Sequence, residues 1–520
     1  MPEASIEIAV IGAGFSGLGV ACELVRHGRR DFIVLERGST VGGTWRDNTY
    51  PGCACDIPSD LYSFSFQPNP HWSSNYAAQP EILAYLQQVA ADYGLLEPDG
   101  APAGSDLSAA APGSISFGTE LQGADWLPDR QRWRISTNRG SLLARYLISG
   151  HGPLITPKWP DLAGLDEFRG VRFHSAQWDH TVDLAGKRVA VIGTGASAIQ
   201  FIPQVQGVAG EVHVFQRTPP WIVPRGWRET SAKRRAVFAK YPVLQKLDRQ
   251  RKFRILETRH LGLSTARFNR VMQDFALSYL NRKVKDPGLR AKLTPDYRIG
   301  CKRILISDNY FNALQKPNVE LVTDAVVRVT ERGIVTADGV EREADVLICG
   351  TGFNATQPKI AGLIRDGDGV SLAQRWGADF EAHRGTTVTG YPNLFLIVGP
   401  NTALGHNSII YMIEAQVRYV LAALNAAERR GAVELAPTEA AQRAYNRWLQ
   451  KRLARLVWTR GGCSSYYLSS TGKNTTLWPE RAAAFRRKLG RFDAASYRFF
   501  KPRHPVLSAI PTKKAVSPHV

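Results

Sequence analysis

Apolar residues crowd from Ile6 to Ile11, and the run ends on Gly12. A β-rich run closed by glycine predicts a buried strand. The next residues keep helical spacing to about His27, and Phe32 to Leu35 forms a second short apolar run. The three together predict a βαβ unit. Glu81 to Tyr93 returns to helix-like spacing, while Gly100 to Gly113 is rich in Ala, Gly, Pro and Ser and predicts a surface loop. A second βαβ unit is predicted from Arg188-Val189-Ala190-Val191-Ile192 into Gly193, closing on Val212 to Phe215. From Arg225 to about Leu293 the chain is rich in Arg, Lys and Leu with few turn residues. That predicts helices inserted into the second unit, their basic faces solvated. Ala344 to Ile348 leads into Cys349-Gly350, and Asn393 to Val398 runs into Gly399-Pro400, as if the chain returned to the first unit.

This pattern divides an α/β chain into two Rossmann-like dinucleotide-binding domains. Residues 1–150 form the first part of one, 151–184 a linker, and 185–344 the second domain with its helical insertion at about 225–295. Residues 345–500 complete the first domain. Residues 501–520 carry four prolines and no apolar periodicity, which predicts a tail.

Composition adds limits. With 44% hydrophobic and 22% charged residues in 520, the chain is an ordinary folded protein. No apolar run reaches the roughly 18 to 20 residues of a membrane span. The net charge of +20 leaves nucleic acid, an anionic membrane surface or an anionic small molecule as partners. Basic residues are spread along the chain rather than interleaved with aromatics in one stretch, which argues against nucleic acid. The six cysteines, at 22, 53, 55, 301, 349 and 463, form no Cys-x-x-Cys pair, so reduced thiols are the expectation. No basic n-region precedes an apolar h-region, and the glycine motif begins within a dozen residues of Met1. A cytoplasmic location is expected.

Gly12-Ala13-Gly14-Phe15-Ser16-Gly17 lies between a strand and a helix, the setting in which GxGxxG gives a tight turn, close approach to a pyrophosphate and a helix N-terminus aimed at it. Glu36, about 20 residues further on, is placed to accept hydrogen bonds from ribose hydroxyls, with Arg37 beside it. Gly193-Thr194-Gly195-Ala196-Ser197-Ala198 repeats the motif with alanine at its third small position, and Gln200 follows in the helix. After the closing strand the acid is replaced by Gln216-Arg217-Thr218, a guanidinium and a hydroxyl suited to a 2′-phosphate. One acid-type and one arginine-type fold in a single chain indicate FAD reduced by NADPH. A disulfide reductase would need a dithiol beside the flavin, and Cys53-Ala54-Cys55 is poorly spaced for it.

Phe168, Gly170, His174, Trp178 and Asp179 stand at the spacing FxGxxxHxxxWD, and Gly43-x-Trp45 with Tyr50-Pro51-Gly52 and Asp56 forms a second pattern. Both resemble the fingerprints of type I Baeyer-Villiger monooxygenases, and the resemblance runs from Ile6 to about Trp478. It implies an enzyme that uses NADPH and O2 to insert one oxygen beside a ketone carbonyl through a C4a-peroxyflavin, giving an ester or lactone. In relatives that oxygenate nitrogen or sulfur, the Trp178-Asp179 ending is missing; oxygenation of those atoms is the alternative. The resemblance implies that Arg303 lies over the flavin, where a permanent cation stabilises a peroxide anion and the oxyanion of the adduct. It also implies that Asp56 pairs with Arg303, that Lys302 joins Arg217 and Thr218 on the 2′-phosphate, and that Thr44, Trp45, Arg46 and Tyr62 line the flavin. His174 lies between the nucleotide folds and is expected to serve a hinge, not to act as an acid or base. Gly350-Thr351-Gly352-Phe353 and Gly399 to Ser408 resemble further family segments. Tyr466 stands where many relatives carry a tryptophan near the nicotinamide.

Overall fold

The computed structural model describes residues 4–96, 107, 110–354, 358–463 and 465–503. Most of the Gly100–Gly113 loop and nearly all of the expected tail lie outside them. The first sheet is built around Ala4–Ile11, which pairs in parallel with Phe32–Leu35 on one side and Gly140–Ser149 on the other. Ser114–Ser116 continues the sheet beyond Phe32–Leu35, and Leu394–Leu396 runs parallel to Gly140–Ser149. An antiparallel meander of Leu121–Leu127, Arg132–Thr137 and Gly140–Ser149 widens it, with Ile364–Arg365 at the edge. Every residue of Phe32–Leu35 is buried, as a continuous apolar run in a covered parallel sheet requires. The helices Phe15–Arg26 and Ile409–Glu428 pack closely, and a Cβ added to Gly19 would lie 3.4 Å from Ile413.

The second sheet has the order Val319–Val322, Glu211–Phe215, Arg188–Ile192, Val346–Cys349, Val171–His174, all parallel. Two expected boundaries are therefore corrected. Val346–Cys349 does not return to the first unit but lies inside the second sheet, and Val171–His174, expected in the linker, is that sheet's edge. Apolar periodicity marks a strand as buried without saying which sheet buries it. Here Asp345 decides the matter: its carboxylate accepts the Arg188 backbone N–H at 2.9 Å and the guanidinium at 2.7 Å, locking adjacent strands in register. The chain crosses between the units at residues 151–158 and 351–354, and the crossings are joined side by side. Lys158 donates its N–H to the Gly352 carbonyl at 2.9 Å, and Asn354 to that of Thr156 at 3.0 Å.

The insertion is helical as expected: Ala232–Lys240, Pro242–Thr258, His260–Ser264, Ala266–Lys283 and Pro287–Leu293. Ser231 and Asp286 cap two of these helices through their side chains. The expectation of uniformly reduced thiols is corrected as well. Cys301 and Cys463, 162 positions apart, form a disulfide with Cα atoms 6.2 Å apart, while Cys22, Cys53, Cys55 and Cys349 are buried thiols. The pairing follows from tertiary approach, which short-range cysteine spacing cannot report. Among the described residues no helix is long and apolar enough to cross a membrane.

The first glycine turn is tightly packed. Gly12 has φ +89° and donates its N–H to Leu35 at 2.8 Å, and a Cβ on Gly17 would lie 1.7 Å from the Gly12 carbonyl oxygen. Gly17→Ala must push the helix off the strand. It is expected to cost about 3 kcal/mol or to prevent folding, read as a lower urea midpoint than Gly362→Ala, where the added Cβ meets open space and φ is not positive.

Candidate functional site

The first turn forms a cradle of bare backbone. A Cβ on Gly43 would lie 3.2 Å from the Cα of Gly14, and one on Gly150 would lie 2.8 Å from the backbone nitrogen of Gly17. Such a surface fits a pyrophosphate that must approach backbone amides closely. Glu36 is buried at the end of its strand. Its Oε2 accepts the Ala13 N–H at 2.7 Å, and its Oε1 accepts the Gly38 N–H and Arg46 Nη1, each at 2.7 Å. A carboxylate offers about four acceptor positions, so Glu36 is held in place with capacity left for a ribose hydroxyl. Arg46 also donates to Thr40 and Asp47, each at 2.8 Å, and is thus a brace for Glu36. Arg37 is exposed and reaches Asp47 at 3.4 Å. Phe15 and Ser16 are buried. Phe15 meets the Tyr62 ring edge-on at 5.4 Å, and Trp45 donates Nε1–H to the Tyr62 hydroxyl at 3.2 Å. Thr44 opens the short helix Thr44–Asp47 that presents Trp45.

The second turn repeats this geometry. Gly193 has φ +109°, a Cβ there would lie 2.5 Å from the Gly350 carbonyl oxygen, and fully buried Ala198 begins the helix Ala198–Gln206. Gly195 and Ala196 are exposed, while Thr194 is buried and Ser197 half-buried. Arg217 stands exposed and Thr218 half-buried just past Glu211–Phe215. Lys302 lies over the Tyr297 ring at 4.9 Å, its pKa lowered first by burial and then by repulsion from Arg217, against the pull of Asp296. Among the described residues neither Arg217 nor Lys302 has an ion-pair partner. Two unpaired cations that repel each other suit a phosphate dianion. Gln200 spans the two units instead: Nε2 donates to the Ala54 carbonyl at 3.0 Å, and Oε1 accepts the Tyr50 hydroxyl at 2.9 Å.

Asp56 and Arg303 meet where the units join. The Nε–H of Arg303 donates to Asp56 Oδ2 at 3.0 Å, and Nη2 donates to the same oxygen. Nη1 has no hydrogen-bond partner among the described residues. Asp56 holds the guanidinium even further into its charged form than is usual for arginine, and burial only partly opposes it. A cavity of about 430 Å³ opens nearby, lined in part by Tyr50, Cys53, Ala54, Tyr76 and Arg225. A larger groove of about 850 Å³, with Arg254, Arg418, Arg486 and Arg487 on its walls, includes neither Arg303 nor either glycine turn in its lining.

The fingerprint residues are mostly packing residues of the second sheet. Phe168 is buried, and a Cβ on Gly170 would lie 2.5 Å from the Asp345 carbonyl oxygen. Trp178 packs on Phe173 at 5.1 Å and on Phe201 of the second glycine helix at 5.4 Å. Asp179 closes a local turn with Thr181. His174 is fully buried between the rings of Trp159 and Phe353, at 5.9 and 6.0 Å, against the two crossings. Its Nδ1 accepts the Ala176 N–H at 3.1 Å, so the neutral ring carries its proton on Nε2, which has no partner in good hydrogen-bond geometry. Burial pushes its pKa down to about 4, and the nearby Gly352 carbonyl opposes that only in part.

Sequence reasoning missed three features. Gly150, at the end of a strand, presses on Gly17, and the strand-then-glycine pattern could have revealed it. Buried Glu257 gathers His406 at 3.2 Å, Asn407 at 2.8 Å and the N–H groups of Ala482 and Ala483, each at 3.1 Å. Its partners come from two distant segments, so no local pattern marks it. The Cys301–Cys463 bond is the third.

Comparison with known proteins agrees with this geometry. Residues 10–78 match an NAD(P)-binding Rossmann-like domain and residues 144–366 the flavin-binding monooxygenase-like family. A Baeyer-Villiger monooxygenase of Streptomyces coelicolor is 46% identical over 502 residues, covering 96% of this chain and 93% of its own. Another, of Pseudomonas aeruginosa, is 45% identical over 494 residues, covering 94% and 91%. The solved structure of OTEMO in complex with FAD and NADP superposes with a TM-score of 0.82 at 27% identity, covering 95% of this chain and 99% of its own.

The buried His174 makes the fold sensitive to acid. Its folded pKa lies below the ordinary value of 6.5, so the unfolded chain takes up the proton first, and stability falls as pH drops from about 6.5 to about 4. Its contribution to that loss is expected to be ~3 kcal/mol. Urea unfolding of the parent and His174→Phe at pH 7 and 4.5 checks this: the difference between the two pH values should shrink in the variant.

Proposed function

With the chain a member of the Baeyer-Villiger monooxygenase family, we propose that it holds FAD on the first glycine turn and NADPH on the second, and converts a ketone to an ester or lactone with one atom of O2. The observation that carries this reading is the Asp56–Arg303 pair at the junction of the units. When bound, the flavin and the nicotinamide supply hydride transfer and oxygen activation. The chain's own residues supply binding, charge and shape.

Glu36, braced by Arg46, accepts from the ribose of FAD, and the backbone at Gly12, Gly14 and Gly17 receives its pyrophosphate. Trp45 and Tyr62, joined by their hydrogen bond, form a wall of the flavin site. Arg217, Thr218 and Lys302 take the 2′-phosphate, which selects NADPH over NADH. Arg303 cannot give up its proton, so it acts as a fixed positive charge. Asp56 occupies one edge of the guanidinium through Nε and Nη2, leaving Nη1 free to donate to an oxygen that becomes negative when the carbonyl is attacked. The ketone enters where the units join. His174, beneath the crossings, is the pivot about which the two units adjust while the nicotinamide is held.

Arg303→Ala is expected to lower ester formation by about 10² to 10³ or more, and Arg303→Lys, which keeps the charge but not the fork, to recover only part of it. Arg217→Ala is expected to raise KM for NADPH by about 10- to 100-fold and to leave that for NADH nearly unchanged. The test incubates FAD-loaded protein with NADPH, ¹⁸O2 and a panel of cyclic, linear and aryl ketones, and reads label in the ester by mass spectrometry. Oxidation of sulfides or amines but no ketone, undiminished in Arg303→Ala, would instead establish heteroatom oxygenation.

A further inference from the structure

The disulfide ties together two pieces of chain that both reach Arg303. Cys301 is buried two positions before Arg303, and partly exposed Cys463 opens the loop that carries Tyr466 and Tyr467. Both tyrosines lie within electrostatic reach of the guanidinium. The two segments are pressed together at the bond: a Cβ on Gly461 would lie 2.5 Å from the Cβ of Cys301, and the Arg298 N–H donates to the Gly461 carbonyl at 3.0 Å. The far end of the loop has its own anchors. Asp379 accepts from Ser469 at 2.7 Å and Thr471 at 2.6 Å and pairs with Lys473 at 2.9 Å, and Asn401 donates to the Asn474 carbonyl at 2.7 Å. Between these anchors, Tyr467 and Leu468 donate their N–H groups back to Ser465, within the loop itself. Tyr467 is itself buried and its carbonyl accepts the Thr475 N–H at 3.3 Å, so the disulfide is the covalent tie at the Cys463 end of the loop, next to exposed Tyr466.

We propose that Cys301 and Cys463 form an oxidisable clamp on this site. Bonded, the pair holds the Tyr466–Tyr467 loop against the Arg303 segment; reduced, it releases the loop, and electrons from NADPH escape to O2 as hydrogen peroxide. The proposal rests on the monooxygenase reading above. Hydrogen peroxide is also the oxidant that restores the clamp. The Cys463 thiolate attacks one peroxide oxygen and breaks the O–O bond, leaving a sulfenic acid and, after protonation, water. The Cys301 thiol then attacks that sulfur, forming the S–S bond and expelling a second water. Two electrons pass from the two sulfurs to one peroxide. A leaking enzyme thus closes its own site, while Cys22, Cys53, Cys55 and Cys349 remain buried thiols.

The experiment cycles the FAD-loaded wild-type protein through peroxide, a phosphine reductant, and peroxide again after the reductant is removed, with Cys463→Ser and Cys301→Ser in parallel. Thiol titration in denaturant should find four thiols in the oxidised wild type and six in the reduced. Chymotrypsin should cut after exposed Tyr466 about fivefold faster in the reduced protein and in Cys463→Ser, and hydrogen peroxide released per NADPH should rise about as much. Peroxide should reverse both changes in the wild type and neither in the variants. Six thiols after peroxide, or equal cleavage in the two states, would overturn the clamp. Because the wild-type cycle needs no substitution, a variant that fails to fold leaves the test intact. Thiol counts and cleavage that move as expected without any ketone oxidation would sink the monooxygenase reading instead, whereas ketone oxidation equally coupled in both states would sink the clamp alone.

Discussion

The ion pair between Asp56 and Arg303 is the interaction around which the two units are arranged. It joins residues 247 positions apart, one from a loop of the first unit and one from just beyond the insertion of the second. The segment from Thr49 to Asp56 is clasped along its length by the second unit. Thr49 bonds His180 at 2.8 Å, Tyr50 and Ala54 bond Gln200 at 2.9 and 3.0 Å, and the Cys55 carbonyl accepts from Arg225 at 3.3 Å. Each such bond contributes only about 1 kcal/mol, yet together they fix where the guanidinium stands.

Much of this is legible in the sequence where function depends on local backbone geometry. A glycine that must take φ near +90° between a strand and a helix leaves its mark in a few residues, and both turns are recognisable that way. Glu36 and Arg217 follow at fixed distances because one strand of fixed length separates them from their turns. The membership of Val346–Cys349 in the second sheet is not legible, because its apolar run suits either sheet and the deciding contact, Asp345 with Arg188, joins residues 157 positions apart. The Cys301–Cys463 bond and the Glu257 cluster are hidden for the same reason: each depends on the meeting of remote segments.

The fingerprint around His174 shows that a pattern can be specific without being chemical. Gly170 is fixed by its approach to Asp345, Phe168 by the core of the second sheet, and Trp178 by the rings of Phe173 and Phe201. These residues make one edge strand fit the glycine helix that follows it. His174 differs, because its buried Nε2 has no well-aligned partner among the described residues and it lies where both crossings pass. Its ring lies near the Gly352 carbonyl of one crossing, and the proposed hinge role would rest on that contact being remade if the units shift.

The net charge of +20 says less about partners than the placement of individual cations does, because each internal ion pair uses one acid and one base. Many cations are satisfied within the chain: Arg188 by Asp345, Arg342 by Glu320, Arg46 by Glu36. Among the described residues Arg217 and Lys302 are not, and the guanidinium disfavours the charged form of the lysine. A site built from two like charges holds unfavourable energy until an anion arrives, and a phosphate dianion removes that repulsion while adding attraction to both. If these two cations hold the 2′-phosphate as proposed, selectivity for the phosphorylated nicotinamide would have two sources, the attraction of each cation to the phosphate oxygens and the relief of their mutual repulsion, and a ribose hydroxyl in the same position would supply neither. The positive charge concerned is local and specific, and it would persist if the rest of the surface were made neutral.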